Sequence, residues 1–343
     1  MVIRSRAPLR IGFAGGGTDL REYSDRFGGS VFNATIGMYS YCTIVPTQDG
    51  MVRFQAPDRR ESVELKAAEH IELSDPLILH RGVYNRVVRE FNGGKPLSLF
   101  MSTSSDAPAG SGLGSSSTMV VTILEAYNRW LRLNLSAYRI ANLAYEIERE
   151  DIGLAGGKQD QYAAVFGGFN RMEFRQDGSV VINTLRVEKQ VLCELESSLL
   201  LYYRGRSRDS AKIISQQMKN TADNNEKTIE AMHRIKQASF DMKDAVLMGD
   251  IKRFAQLLRE GWEQKKRTSS IVTNTELEQI IAYSMEHGAE AVKLSGAGGG
   301  GFILLYCDPV NRQQLFEALK QKGGIVFPVQ FSKCGAESWV AEE

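Results

Sequence analysis

Cysteine is scarce and unpatterned in this chain. The four present in 343 residues, Cys42, Cys193, Cys307 and Cys334, are scattered with no C-x-x-C spacing. That argues against a disulfide framework and fits idle thiols in a reducing, cytoplasmic setting. Histidine is equally thin: His70, His80, His233 and His287 show no metal-ligand spacing and are assigned no chemistry. No apolar run approaches the roughly 20 residues that span a bilayer. No basic, apolar segment of signal type opens the chain, so the expected location is the cytoplasm. An excess of one charge is also missing, with 42 Lys and Arg against 41 Asp and Glu. Nothing global therefore directs the chain to nucleic acid or to a membrane. No repeat or low-complexity tract is found.

What is present is a chain 43% hydrophobic, long enough for two domains or one large one. Its texture is mixed α and β. Residues 8–13 (PLRIGF), 31–46, 97–101, 199–203 and the stretches AVKLSG and GFILLYC predict strands, and two more close the chain. Residues 76–91, 117–131 and 136–150 predict helices, the last opened by Ser136 as N-cap. A charge-rich helical region runs from about 209 to 266, and a further helix lies near 311–322. A change of texture near 183–198 divides the chain into an expected N-terminal unit, 1–185, and a C-terminal unit, 186–343.

Glycine is concentrated in four clusters. PAGSGLGSSSTMVV, 108–121, alternates glycines, then gives serines, then starts a helix. A helix N-terminus has N–H groups without intrahelical partners and partial positive charge, so bare backbone there can cradle phosphate. The plain alternative is a loop that only caps a helix, and the residues alone leave both open. A Walker A loop fails, because Ser115 rather than Lys follows Gly114; a Rossmann fingerprint fails, because Ser115 stands where its third glycine belongs. In KLSGAGGGGF, 293–302, five glycines fall in six residues ahead of a strand rather than a helix, which favours close backbone approach to something. APLRIGFAGGGTDL, 7–20, carries Arg10, three glycines, Thr18 and Asp19. The fourth cluster, 145–168, holds Glu146, Glu148 and Glu150, a glycine loop, and Asp160 opening an apolar helix. Each glutamate singly reads as a solvated face.

Together and in this order the clusters resemble the motifs of the GHMP kinases, the family of galactokinases, homoserine kinases and mevalonate kinases. FAGGGTD and GLAGGKQDQYAAVFGGFN are most similar to the bacterial heptose phosphate kinases of that family, and the L-fucokinases are the nearest rival. The resemblance implies a two-domain α/β (α+β) fold. Its N-terminal domain would be like the ribosomal S5 domain 2, and its C-terminal domain ferredoxin-like. ATP and Mg2+ are the implied cofactors, and a small sugar phosphate the partner, with no nucleic acid and no membrane. Gly110, Ser111, Gly112, Leu113, Gly114, Ser115, Ser116 and Ser117 would hold the ATP phosphates. Ser116 and Glu148 would hold the metal. Asp160, 12 residues after Glu148, corresponds to the catalytic carboxylate, with Arg10 as its basic partner. Gly17, Thr18 and Asp19 would meet the sugar, and Gly298 and Gly299 would back it from the other domain. That last loop is one or two glycines longer than the family's shorter versions. An existing phosphate on the substrate needs fixed cations. The segment 202–212 offers Arg204, Arg206, Arg208 and Lys212, with Arg208 chosen as the bidentate grip; a basic helix entrance is the other reading. The implied reaction is ATP plus heptose 7-phosphate giving the 1,7-bisphosphate and ADP. Asp160 and Glu148 together disfavour a silent sugar sensor, and GGGTD disfavours a decarboxylase.

Overall fold

Alternation builds the first strand: Ile3, Ser5 and Ala7 are buried while Arg4 is exposed, the period of two that one covered face imposes. From Ala7 to Ile11 every residue is buried, because the strand there is covered on both faces. The computed structural model describes residues 1–205 and 210–342. Its strands are β1 (Val2–Ala14), β2 (Gly29–Pro46), β3 (Met51–Ala56), β4 (Glu61–Lys66), β5 (Leu99–Ser105), β6 (Phe169–Phe174), β7 (Val180–Leu185), β8 (Leu199–Tyr203), β9 (Ala289–Leu294), β10 (Phe302–Cys307), β11 (Ile325–Pro328) and β12 (Glu337–Ala341). Its helices are α1 (Arg21–Phe27), α2 (Ile78–Phe91), α3 (Ser115–Leu131), α4 (Ala137–Glu146), α5 (Gln159–Phe166), α6 (Lys189–Ser198), α7 (Ser210–Ala222), α8 (Glu226–Leu247), α9 (Ile251–Lys266), α10 (Thr275–Glu286) and α11 (Arg312–Gln321).

Two sheets result. The first has the order β12-β1-β2-β5-β3-β4, with β6 on the first half of β2 and β7 beyond it. The final strand β12 pairs with β1, so the chain's last described residues return to the first sheet. The second is antiparallel with the order β11-β8-β10-β9. Counted within itself this is 4-1-3-2, the ferredoxin-like arrangement the resemblance implied.

The sheets share a core. Leu199 and Leu201 of β8 and Leu304 of β10 pack with Leu9, Ile11 and Phe13 of β1 and with Met242 and Phe254 of α8 and α9. Leu200, Tyr202, Ile303 and Leu305 face the other way, onto Trp262, Leu277 and Leu315. Strands covered on both faces read as unbroken apolar runs, which is why LLLYY and FILLYC show no polar alternation. A register shift of β1 against β2 between Pro8 and Arg10 accompanies a change of face. Ser5 reaches α3, its Oγ donating to Thr122 O at 2.7 Å, whereas Leu9 lies in the shared core. Arg10 then points back to the helices.

One expected helix ends differently. Ser136 does cap α4, its hydroxyl accepting from Arg139 N at 3.3 Å. The α-helix stops at Glu146, however, and residues Ile147–Asp151 form a π turn. The charge-rich stretch resolves into α7, α8 and α9. The β3–β4 and β6–β7 hairpins and helices α1, α6 and α10 add to the elements the sequence predicts. Among the described residues no helix is long and apolar enough to cross a membrane, and the four cysteines are unpaired.

Candidate active site

The end of β1, the turn after it, the start of α3, the π turn, the start of α5, and helices α7 and α9 meet around a cavity of about 250 Å³. The glycine loop between β9 and β10 completes it. Arg10, buried, donates from Nε to Asp160 Oδ1 at 2.7 Å and from Nη1 to Gly112 O at 2.6 Å. Its Nη2 lies 2.6 Å from the same Asp160 oxygen. Asp160 sits in the first turn of α5, where the helix dipole favours a carboxylate. A strand residue and a helix residue far apart in the chain are thus locked together at the cavity.

The 110–117 loop is built by alternation. Gly110, Gly112 and Gly114 line the cavity at positive φ of 70°, 81° and 78°, while Ser111 and Leu113 are buried behind them. Glycine is required at 112: a Cβ there would stand 2.5 Å from Ser295 O. The two glycine loops touch directly, Phe302 N donating to Ser111 O at 2.8 Å. Ser115 is the first residue of α3, so Ser115, Ser116 and Ser117 present the helix's first N–H groups beside the cavity.

Glu148 is buried, 1% exposed, so the solvated-face reading fails for it. Ser116 Oγ donates to its Oε1 at 3.1 Å, and Gln161 Nε2 donates to its Oε2 at 2.5 Å. The π turn is what re-aims it. Its neighbours go elsewhere: Glu146 pairs with Arg86 at 2.8 Å, and Glu150 with Arg21 on the surface. Arg86 also holds Asp151 through two bonds of 2.7 and 2.8 Å, clamping both ends of the turn.

Asp19 is buried and lines the cavity. Its carboxylate accepts from Gly17 N and Gln159 N, each at 3.1 Å. Burial pushes its carboxyl pKa up, and the Gln159 N–H opposes this. Gly17 lines the cavity beside it. Thr18 is placed otherwise. It is fully buried, its hydroxyl lying 2.7 Å from Gly15 O and 2.9 Å from Ser30 O and accepting from Ser30 N. Its polar capacity is spent on closing the turn. Gly298 and Gly299 also lie off the cavity, against Val272, to whose carbonyl Gly299 N donates at 2.7 Å. Gly296 and Ala297 line the cavity in their place. Arg208 lies outside the described residues.

Gln159 and Lys265 line the cavity, and Gln161 and Lys293 stand behind it, without a role assigned from the sequence. Gln159 and Gln161 stand inside the quoted GGKQDQ stretch. Lys293 opens the glycine motif and donates to Gly12 O and Phe13 O, both at 2.7 Å. Burial pulls its ammonium down to about 7, helped by Lys265 and Arg10. Lys265, at the end of the charge-rich α9, lines the cavity although only its burial marks it out. Burial pulls it down to about 8, against the Asp19 charge.

A carboxylate gripped by a guanidinium, a glycine-backed helix N-terminus and a Ser–Glu pair of hard oxygens are the parts phosphoryl transfer needs. Among the described residues no group of three His, Cys, Asp or Glu forms a metal site. A serine hydroxyl beside one carboxylate nonetheless suits Mg2+, which keeps waters and phosphate oxygens for its other positions.

Comparison with known proteins agrees. Residues 78–168 match the GHMP kinases N terminal domain and residues 242–325 the GHMP kinases C terminal domain. A D-glycero-alpha-D-manno-heptose 7-phosphate kinase of Campylobacter jejuni is 45% identical over 98% of both chains. An L-fucokinase/L-fucose-1-P guanylyltransferase of Bacteroides fragilis is 25% identical over 89% of this chain and 34% of its own. The crystal structure of a D-glycero-D-manno-heptose 1-phosphate kinase from Bacteroides thetaiotaomicron superposes with a TM-score of 0.86 at 42% identity, over 99% of this chain and 100% of that one. The chain belongs to the GHMP kinase family and is a kinase.

Proposed function

We propose that this chain transfers the γ-phosphoryl group of ATP to the anomeric hydroxyl of D-glycero-D-manno-heptose 7-phosphate, giving the 1,7-bisphosphate and ADP. The observation that carries the reading is Asp160, gripped by Arg10, sharing one cavity with the N-terminus of α3 and the Ser116–Glu148 pair. It stands in a chain 45% identical throughout to a relative named for that sugar phosphate.

The ATP phosphates rest on the N–H groups at residues 110–117, favoured by the helix dipole. Ser116 and Glu148 would hold Mg2+, which would neutralise phosphate charge. Asp19 accepts from a sugar hydroxyl. The anomeric hydroxyl, more acidic than an ordinary alcohol, gives its proton to Asp160 as its oxygen bonds to phosphorus and the bond from phosphorus to the ADP oxygen breaks. Arg10 stabilises the charge that spreads over the transferring group. The basic segment at Arg208 grips the phosphate already on the substrate.

The relatives' names place that phosphate differently, at carbon 7 in one and carbon 1 in the other. The test is therefore ADP release with heptose, heptose 1-phosphate, heptose 7-phosphate, mannose and L-fucose, each with Mg2+ and ATP. Heptose 7-phosphate gives the highest kcat/KM on this reading. A preference for L-fucose or for unphosphorylated heptose overturns it.

A further inference from the structure

Lys265 has no part in the chemistry above, yet α9 carries it to the cavity wall. It is 6% exposed. Its Nζ donates to Gly16 O at 3.2 Å and lies 3.4 Å from Gln217 Oε1. Both acceptors are uncharged, and both distances are long for an ammonium. Its chain neighbour Lys266, by contrast, reaches Glu263 at 2.8 Å. Among the described residues Lys265 forms no salt bridge, and a buried ammonium without an anion is costly. The opposite charge that acts on it is the Asp19 carboxylate. The two flank Gly17: Gly17 N donates to Asp19 Oδ1 at 3.1 Å, and a Cβ on Gly17 would stand 3.3 Å from Lys265 Nζ. Both line the same cavity without pairing.

We propose that Lys265 is a sugar-binding, specificity-determining residue that reads one acceptor hydroxyl together with Asp19. The inference deepens the sugar-kinase reading above and rests on it. A hydroxyl is donor and acceptor at once, so it gives its hydrogen to Asp19 and takes one from Lys265. A phosphate at this point would face the Asp19 carboxylate with no hydrogen to give it. A methylene would leave both charges buried and unanswered, so a sugar lacking that hydroxyl is rejected strongly.

The experiment compares wild type with Lys265→Met and Lys265→Gln, on the accepted sugar and on its monodeoxy analogues. Losing a hydrogen bond from a charged donor raises the sugar KM roughly 10- to 100-fold. The KM for ATP stays within about twofold, because ATP is held by the 110–117 loop. Gln, which keeps an N–H donor, loses less than Met. On one deoxy analogue, already poor with wild type, Lys265→Met adds no penalty. An unchanged sugar KM overturns the inference, as does an equal penalty on ATP or on every analogue. Should neither variant fold, sugar binding to wild type decides, measured calorimetrically at pH 8 in two buffers of different ionisation enthalpy. Among the described residues, the charge acting on Lys265 is Asp19 on the turn, and Lys265 acts in turn on Lys293 of β9, which Arg10 of β1 also faces. A hydroxyl accepting from the ammonium holds it charged, so binding takes up protons, and no uptake contradicts the proposal. If the accepted sugar is not a heptose phosphate, the heptose kinase assignment falls, while the split between sugar and ATP still decides the role of Lys265.

Discussion

Asp160 is where a single atom replacement reads out the chemistry. Asp160→Asn keeps the shape and much of the hydrogen bonding to Arg10 but removes the proton acceptor. Turnover falls by roughly 10² or more, while the Kd for ATP, assigned to the 110–117 backbone, is unchanged. Turnover near wild type at saturating substrates takes Asp160 out of the mechanism. At this scale the sequence was most legible where backbone was exposed for a reason. Gly112, Gly114, Arg10, Asp160 and Glu148 all stand together in the cavity. It was least legible where a residue type has two uses. Thr18 is a good hydroxyl for a sugar and an equally good one for closing a turn, and only its three backbone partners decide for the turn. Lys265 looks like any lysine of a charged helix, because its burial comes from elements far away in the chain.

The element that most shapes the site is the π turn at Ile147–Asp151. Helical spacing puts 146, 148 and 150 on a drifting face, but the extra residue of a π turn shifts the register. Nothing in IERED announces that; the Arg86 clamp on Glu146 and Asp151 comes from α2. Two predictions belong here. Glu148→Gln raises the Mg2+ concentration needed for half-maximal activity, with activity partly recovered at high Mg2+, and Ser116→Ala does the same more mildly. Arg86→Met leaves Glu146 with Asn142 and Arg139 at 3.5 Å, and Asp151 with Arg89 at 3.7 Å, and the lost charged hydrogen bonds cost about 1.5–3 kcal/mol in unfolding free energy. It also raises the Mg2+ requirement while leaving Ser116 and Glu148 themselves in place. Denaturant unfolding and a Mg2+ titration of rate check both. If Arg86→Met lowers stability but leaves the Mg2+ requirement as in wild type, the turn does not position Glu148. The hairpins and short helices missed from the sequence are of the same kind, elements held by their neighbours rather than by strong local periodicity.

For the whole molecule, the two-domain architecture was readable through the resemblance of the glycine motifs, and β8 and β10 through their unbroken apolar runs. The return of β12 to β1 was not, since ESWVA says nothing of which edge it joins. Stability under acid reports on the first core. His80 lies buried between α2 and the first sheet, Nε2 2.8 Å from Thr103 Oγ1, and burial pulls it down to about 3, with Arg59 adding to this. In the unfolded chain it titrates near 6.5. Between those values the unfolded state binds the extra proton, so stability is present above about pH 6.5 and is lost as pH falls toward 3. By pH 5 this one group costs about 2 kcal/mol. Urea unfolding of wild type and His80→Gln at pH 7 and pH 5 checks it, the variant losing about that much less over the interval. Equal losses in the two proteins contradict the assignment.

The central claim is that the cavity moves the γ-phosphoryl group of ATP to the anomeric oxygen of an already phosphorylated heptose, releasing ADP. Phosphorus-31 NMR of the wild-type reaction with heptose 7-phosphate, ATP and Mg2+ tests it most directly. The account predicts one new phosphate ester coupled to the anomeric proton, the 7-phosphate resonance retained, and ADP formed in equal amount. A new ester on any other carbon, or transfer only when the sugar carries no phosphate, contradicts it.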